Sequence, residues 1–131
     1  MKKILMIDDS DTYIWCLQKY LQRRGYPAET ASTLKEARTA IQEEMPLVIC
    51  CDLDLPDGTA MELFHALRRV EGMFQMKNPP VRLLPFFILT ENSDLATEYE
   101  YRHEGVNDYI ISPVNIPELI RRIMYFVEDS K

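Results

Sequence analysis

The stretch LVICCDLDLPDG, residues 47–58, decides the fold of this 131-residue chain. It begins with apolar residues at 47–51 and changes abruptly to acidic and turn-forming residues from Asp52 onward. A short apolar run without polar alternation is typical of a parallel strand that is covered on both faces. We therefore predict a buried strand followed directly by Asp52, at the carboxyl edge of a parallel sheet.

Around this stretch, short apolar runs alternate with helix-length amphipathic segments. The predicted strands are residues 3–7, 28–31, 47–51, 85–89 and 108–111. Strands that alternate with helices in this way indicate a wound α/β domain. We expect residues 1–131 to form one such domain, because the length leaves little room for a second core.

Helix-capping residues mark the predicted helix starts. The candidates are Ser10 or Asp11, Thr33 with Glu36, Gly58-Thr59, Ser93 and Asn115. Residues 71–84 fit neither the helical nor the strand period and contain Pro79-Pro80. We predict an extended loop there, between the third helix and the fourth strand.

The composition argues against several classes of function. The formal net charge of −6 argues against direct nucleic-acid binding by this chain. No apolar run approaches the length of a membrane span and the N-terminus does not resemble a signal peptide, so we expect a cytoplasmic protein. Cys16, Cys50 and Cys51 lack metal-binding spacing, and we expect all three to pack in the core.

Acidic residues gather at the predicted carboxyl ends of the strands, where parallel sheets bind their ligands. Asp8 and Asp9 follow the first strand, and Asp52 follows the third, with Asp54 close behind. A single acid there would be explained by turn or helix capping. Three carboxylates on neighbouring strand ends repel one another, and a cation that compensates them explains the cluster better. Oxygen ligands of this kind suit Mg²⁺, so we predict a magnesium site.

The same edge of the sheet offers a nucleophile. A carboxylate can attack a phosphoryl group and hold it as an acyl phosphate, while Mg²⁺ neutralises charge. Asp52 lies between the strands that supply Asp9 and Thr90, and the Thr90 hydroxyl can contact a phosphoryl oxygen. We therefore predict that Asp52 is the phosphoacceptor.

Four motifs, in this order, resemble a response-regulator receiver domain of two-component signalling. They are Asp8-Asp9, the 47–58 stretch, PFFILT at residues 85–90 and GVNDY at residues 105–109. The resemblance covers essentially the whole chain. It implies a single flavodoxin-like (βα)5 sandwich of three layers, with a parallel sheet of order 2-1-3-4-5.

The resemblance also implies how the acidic cluster is used. Asp52 would accept a phosphoryl group from a histidine kinase or a phosphotransfer protein. Asp8, Asp9 and Asp52 would bind Mg²⁺ together with the main-chain carbonyl of Asp54.

Other implied roles concern the response to phosphorylation. Thr90 would be the switch hydroxyl and Tyr109 the switch aromatic residue. The face formed by the fourth helix, the fifth strand and the fifth helix would contact partners or a second copy of the chain.

Two residues depart from the family's pattern. The family has a lysine immediately before the proline that follows the fifth strand, and this sequence has Ser112. The residue after the switch threonine is usually small, and here it is Glu91. Without the lysine the site has less positive charge to balance a phosphoryl group. We therefore expect phosphorylation of Asp52 to be weakened or uncoupled from the switch, unless another basic residue or a second cation replaces the lysine.

Two other functions stay open at this point. A degenerate receiver would be a protein-interaction module that works without phosphorylation. Asp52-Leu53-Asp54 is also similar to the nucleophile motif of haloacid-dehalogenase-like phosphatases, a remote alternative. In those phosphatases the paired acids follow the nucleophile motif, whereas Asp8-Asp9 precede it here. We therefore expect a signalling domain and not an enzyme.

Overall fold

The computed structural model describes residues 3–74 and 84–128. Its strands are β1 (Ile4–Ile7), β2 (Ala28–Ala31), β3 (Val48–Cys51), β4 (Asp54–Leu55), β5 (Gly58–Thr59), β6 (Phe86–Thr90) and β7 (Asp108–Ile111). Five of them form a parallel sheet of order β2-β1-β3-β6-β7. Because β6 and β7 are the fourth and fifth predicted strands, the predicted order 2-1-3-4-5 is confirmed.

Five helices connect the strands and cover both faces of the sheet. They are α1 (Asp11–Arg23), α2 (Leu34–Glu43), α3 (Ala60–Phe74), α4 (Leu95–Glu104) and α5 (Ile116–Glu128). Buried side chains of α1 and α5 share one core cluster, and those of α2, α3 and α4 share the other. This three-layer arrangement is the predicted flavodoxin-like fold.

The central strand β3 shows why the apolar runs lack alternation. Val48 and Cys50 pack in the α1/α5 core, while Ile49 and Cys51 pack in the opposite core. Successive side chains of a strand point to opposite faces, so a strand between two helical layers needs apolar residues at every position.

The predicted caps of α2 and α5 are confirmed, whereas Ser10 occupies the N-cap position of α1 without a side-chain cap hydrogen bond and α4 has a different cap. The Thr33 hydroxyl accepts the Glu36 N–H, and the Asn115 side chain accepts the Glu118 N–H. In α4, the predicted Ser93 is not the cap. The adjacent Asp94 accepts the Thr97 N–H through its carboxylate, which also carries a favourable charge at a helix N-terminus.

The segment between β3 and α3 contains a small hairpin that the sequence did not predict. β4 and β5 pair in antiparallel fashion, and the turn between them carries Asp57. The Asp57 carboxylate accepts the N–H groups of Leu34 (2.8 Å) and Lys35 (3.1 Å). These hydrogen bonds lower the pKa of Asp57 and fasten the hairpin to the first turn of α2.

Two other predictions are wrong in part, one about the bounds of a loop and one about the burial of a cysteine. The loop predicted at residues 71–84 begins too early, because α3 continues to Phe74. No proline interrupts the helix before Pro79, and residues such as Glu71 and Met73 favour helical structure. Residues 75–83 lie outside the described residues.

The prediction that all three cysteines pack in the core is wrong for one of them. Cys50 and Cys51 are buried, but Cys16 is exposed on α1. The inward face of α1 is occupied by Ile14, Leu17 and Leu21, and Cys16 lies outside this helical repeat. Among the described helices, none is long and apolar enough to span a membrane.

Candidate functional site

Asp52 stands directly after β3, at the carboxyl edge of the sheet. Its backbone N–H donates to the carbonyl of Ile7 at 2.9 Å, which extends the pairing of β3 with β1 by one residue. Its Oδ1 accepts the Leu53 N–H at 2.8 Å. The carboxylate is therefore fixed at the strand end while it stays half-buried.

Asp8 and Asp9 follow β1 next to Asp52. The Asp8 backbone N–H donates to the Ala31 carbonyl, and its Oδ1 accepts the Ser10 N–H at 2.8 Å. One carboxylate oxygen each of Asp8, Asp9 and Asp52 lies within 4.8 Å of the others. Oxygen atoms at this spacing fit around a small divalent cation such as Mg²⁺, which binds oxygen ligands at about 2.1 Å.

The pKa of Asp8 reflects both burial and the repulsion between the carboxylates of this cluster. The pKa of Asp8 is raised to about 6, chiefly by burial and also by the charges of Asp52, Asp9 and Glu91, against the lowering effect of the Ser10 hydrogen bond. Groups that repel one another in a half-buried site are stabilised by a bound cation. The acidic cluster therefore favours cation binding on physical grounds.

The pKa of Asp52 shifts in the same direction. Burial raises it, while hydrogen bonds from the Leu53 N–H and the Thr90 hydroxyl lower it, and the charges of Asp9 and Asp54 raise it. The Thr90 hydroxyl thus already contacts the carboxylate that we predict as the phosphoacceptor.

These residues line a cavity of about 340 Å³ at the edge of the sheet. The lining includes the three acids, Asp54 and Thr90, together with both departures from the family pattern, Glu91 and Ser112. No lysine or arginine lines it within the described part of the chain. No basic side chain from another described element therefore takes the place of the missing lysine at the cavity wall.

Thr90 and Tyr109 are joined by a residue that sequence reasoning missed. The Asn92 N–H donates to Thr90 Oγ1 at 3.1 Å, and the Tyr109 hydroxyl donates to the Asn92 carbonyl at 3.4 Å. The Asn92 side chain also accepts the Asp94 N–H, which leads into α4. An asparagine shortly before a helix cap is a turn signal, but its link to Tyr109 depends on tertiary structure.

Tyr109 is buried with its ring against Tyr101 of α4. The two ring centroids are 6.2 Å apart, and Tyr109 is 2% exposed. Burial raises the pKa of Tyr109. The hydrogen-bonded residues Asp52, Thr90, Asn92 and Tyr109 therefore run from the acidic cluster to the start of β7 and the inner side of α4.

Comparison with known proteins identifies the family of this chain. The family model for the response regulator receiver domain matches residues 4–124. This chain belongs to the response regulator receiver domain family. Receiver domains serve as signalling modules of two-component systems and generally bind Mg²⁺ in an acidic pocket, and the acidic cluster described above is the candidate pocket of this receiver.

Individual relatives agree with this assignment. The receiver is 29% identical over 130 residues to the alkaline phosphatase synthesis transcriptional regulatory protein PhoP of Bacillus subtilis, covering 99% of this chain and 50% of PhoP. It is 24% identical over 123 residues to the photosynthetic apparatus regulatory protein RegA of Rhodobacter capsulatus, covering 94% of this chain and 61% of RegA. The chain thus spans only about half to three-fifths of these curated relatives.

Solved structures show the same fold. A putative response regulator from Chloroflexus aurantiacus superimposes with a TM-score of 0.77 at 28% sequence identity, covering 98% of this chain and 99% of the other. The receiver fold is therefore shared along nearly the full length of both chains.

The α4–β7–α5 face of the receiver combines an ionic network with exposed apolar groups. Asp108 at the start of β7 contacts Arg102 of α4 and Arg122 of α5. These arginines also pair with Glu98 and Glu118 of their own helices. Large exposed apolar side chains on these elements are Leu95, Tyr99, Ile111 and Tyr125. The face offers both apolar area and charge for contact with another protein.

Proposed function

We propose that this receiver domain accepts a phosphoryl group on Asp52 from a histidine kinase or a phosphotransfer protein, with Mg²⁺ held by Asp8, Asp9 and Asp52. The observation that carries the proposal is the convergence of three carboxylates within 4.8 Å beside the buried Thr90. Asp54 lines the same cavity, and its main-chain carbonyl is the proposed further ligand.

The chemistry uses the chain's own groups in definite roles. A carboxylate oxygen of Asp52 forms a bond to phosphorus, and the phosphorus–nitrogen bond of the donor phosphohistidine breaks, with its electron pair returning to the imidazole. A bound Mg²⁺ would neutralise negative charge on the transferred phosphoryl oxygens. The Thr90 hydroxyl, which now bonds to the Asp52 carboxylate, would donate to a phosphoryl oxygen instead.

Signal output would follow the series of hydrogen bonds that begins at Thr90. A change in the position of this hydroxyl alters its bond to the Asn92 N–H, and Asn92 is bonded in turn to Tyr109 and Asp94. Both contacts lead to α4, so the α4–β7–α5 face is the proposed surface that responds to phosphorylation.

Phosphorylation can be tested with small-molecule donors. We expect incubation with Mg²⁺ and acetyl phosphate to add the mass of one phosphoryl group, and Asp52→Asn to abolish this gain. Asp54→Asn is the matched control, because it removes a neighbouring carboxylate but keeps the main-chain carbonyl and Asp52. A wild-type chain that gains no mass and also shows no amide NMR shifts with beryllofluoride would contradict the proposal.

A phosphorylation-independent interaction module is the second candidate function. It is favoured by the cavity wall, which carries Glu91 and Ser112 and no basic side chain among the described residues. The two candidates differ in how far a beryllofluoride signal spreads. Amide shifts confined to the surroundings of Asp52 support the interaction module, and shifts that extend through Tyr109 into α5 support the switch.

A homodimer through α4, β7 and α5 is the proposed use of that face. Tyr99 is 69% exposed on α4 and suits an interface anchor. Sedimentation with Mg²⁺ and beryllofluoride should show self-association that Tyr99→Ala weakens. Tyr20→Ala, which removes an exposed tyrosine from α1, a helix that is not part of this face, is the control and should leave association unchanged.

A further inference from the structure

The strand β2 forms an edge of the sheet, and part of its backbone faces outward. The N–H groups of Ile4 and Asp8 donate to the carbonyls of Pro27 and Ala31. In the parallel register, Met6 is opposite Thr30, so Thr30 is a residue whose N–H and C=O point away from β1. An outward-facing N–H and C=O on an edge strand can pair with one more strand.

The remainder of this edge is partly covered by α1. Ala28, the other outward-facing residue of β2, has its carbonyl bonded to Gln18 Nε2 at 2.8 Å. For Thr30, which is exposed, the described part of the chain provides no such side-chain or loop hydrogen bond. The open backbone groups are therefore at Thr30, in the second half of β2.

Thr30 lies in a groove of about 890 Å³ between α1 and α2. Trp15 lines the α1 side, and Thr39 and Glu43 line the α2 side. Trp15 is the chain's sole tryptophan and is 58% exposed. The groove thus combines a strand edge with an exposed aromatic surface, which is the combination used when an extended peptide adds to a sheet.

The charge of the groove indicates what kind of peptide it fits. Glu29, Glu36 and Glu43 line it, against a single basic lining residue, Lys35. Glu29 is already paired with Lys3 at 3.1 Å, so Glu36 and Glu43 on α2 are the carboxylates that a basic ligand would meet. The Trp15 ring also attracts cations, as shown by Lys19 Nζ at 5.6 Å from its centroid. An acidic groove with an aromatic wall complements lysine and arginine side chains.

We propose that this groove binds an extended basic peptide segment, which pairs with β2 at Thr30 as an added strand. Alternate side chains of the peptide would lie against Trp15 on one side and against the glutamates of α2 on the other. Asp52 does not line this groove, although Asp8 borders both the groove and the acidic cavity, so the site would add a second contact surface to the receiver.

The test uses a labelled synthetic peptide of alternating lysine and valine residues. Binding is followed by the fluorescence of Trp15 and by amide NMR shifts in β2. Thr30→Pro removes the outward N–H without removing a hydrogen bond to β1, and proline is tolerated on edge strands. We expect it to weaken binding roughly tenfold, whereas Thr30→Val, which keeps the N–H, leaves binding nearly unchanged.

Two further measurements keep the proposal open to refutation if Thr30→Pro unfolds the strand. Glu43→Lys should weaken binding of the lysine peptide and its effect should shrink at high salt. A peptide of alternating glutamate and valine should not bind. Equal binding of both peptides, unchanged affinity in the charge-reversed variant, or Thr30-dependent self-association of the chain in place of peptide binding would each overturn the proposal.

Discussion

The backbone N–H of Ser112 donates to the carbonyl of Thr90, with 2.7 Å between nitrogen and oxygen. This bond places the residue that replaces the family's lysine beside the predicted switch hydroxyl, on the wall of the acidic cavity. The backbone at this position is thus held where a lysine side chain could reach Asp52. The difference from the family's pattern is one of side-chain charge and not of position.

Restoring the lysine is therefore expected to strengthen the site. In Ser112→Lys, the ammonium group would lie near Asp52, and an adjacent positive charge lowers a carboxylate pKa by about 1–3 units. We expect the fraction phosphorylated by acetyl phosphate to rise several-fold, measured by intact mass. Ser112→Met, with similar length and no charge, should not raise it. An equal gain in both variants would attribute the effect to side-chain volume.

Removing the Glu91 charge should favour cation binding. Glu91 contributes to the raised pKa of Asp8, so Glu91→Gln lowers that pKa and leaves the cluster more fully ionised near neutral pH. We expect Mg²⁺ affinity to increase about two- to five-fold by calorimetric titration at low salt. Glu100→Gln, at an exposed position of α4, changes the net charge equally and should have little effect. If both variants change the affinity equally, net charge alone explains the result.

The raised pKa of Asp8 predicts how stability depends on pH. In the folded state Asp8 holds its proton up to about pH 6, whereas in the unfolded chain it releases the proton near its ordinary pKa of 3.8. The folded state binds more protons in this window, so this group makes the free energy of unfolding fall as pH rises from about 4 to 6. The raised pKa of Asp52 acts in the same direction.

Thermal denaturation of the wild type and Asp8→Asn over this window isolates the contribution. The melting temperature of the variant should fall less between pH 4 and 6, while the carboxylates with lowered pKa, such as Asp57 and Asp94, affect both proteins alike. Mg²⁺ should raise the wild-type melting temperature more at pH 7 than at pH 5, because protonation competes with the cation. Parallel pH profiles for the two proteins would refute the assignment to Asp8.

Much of the fold could be predicted from the sequence because its main signals are local. A strand buried on both faces must be apolar throughout, so β3 and β6 stand out as uninterrupted runs. The acids Asp8, Asp9 and Asp52 follow such runs directly, and strand ends in a parallel sheet share one edge. The convergence of the acids therefore followed from element order alone.

The features that could not be predicted depend on contacts between distant parts of the chain. The β4–β5 hairpin is too short to show a period, and Asp57 within it caps α2 from more than 20 positions away in sequence. Asn92 has its role because Tyr109 happens to reach its carbonyl. Such hydrogen bonds are set by tertiary geometry, which local sequence patterns do not reveal.

Gly58 supplies a test of how tightly the loop after Asp52 is packed against α2. Its φ of +153° is unfavourable for other residues, and a Cβ atom there would lie 2.4 Å from Glu62 Oε2 and 2.6 Å from Leu34 Cδ1. Glu62 is exposed and can rotate away, but Leu34 is buried and cannot. We expect Gly58→Ala to lower the free energy of unfolding by about 2–4 kcal/mol in urea titrations.

Gly25→Ala is the matched control, because Gly25 also has positive φ but a Cβ atom would meet nothing within 4 Å. Its cost should be about 1 kcal/mol, from backbone strain alone. The excess at Gly58 should shrink when Leu34 is shortened, so the double variant Gly58→Ala with Leu34→Ala should be less destabilised than the sum of the single variants. Additive effects would show that the strain at Gly58 arises from its backbone and not from contact with Leu34.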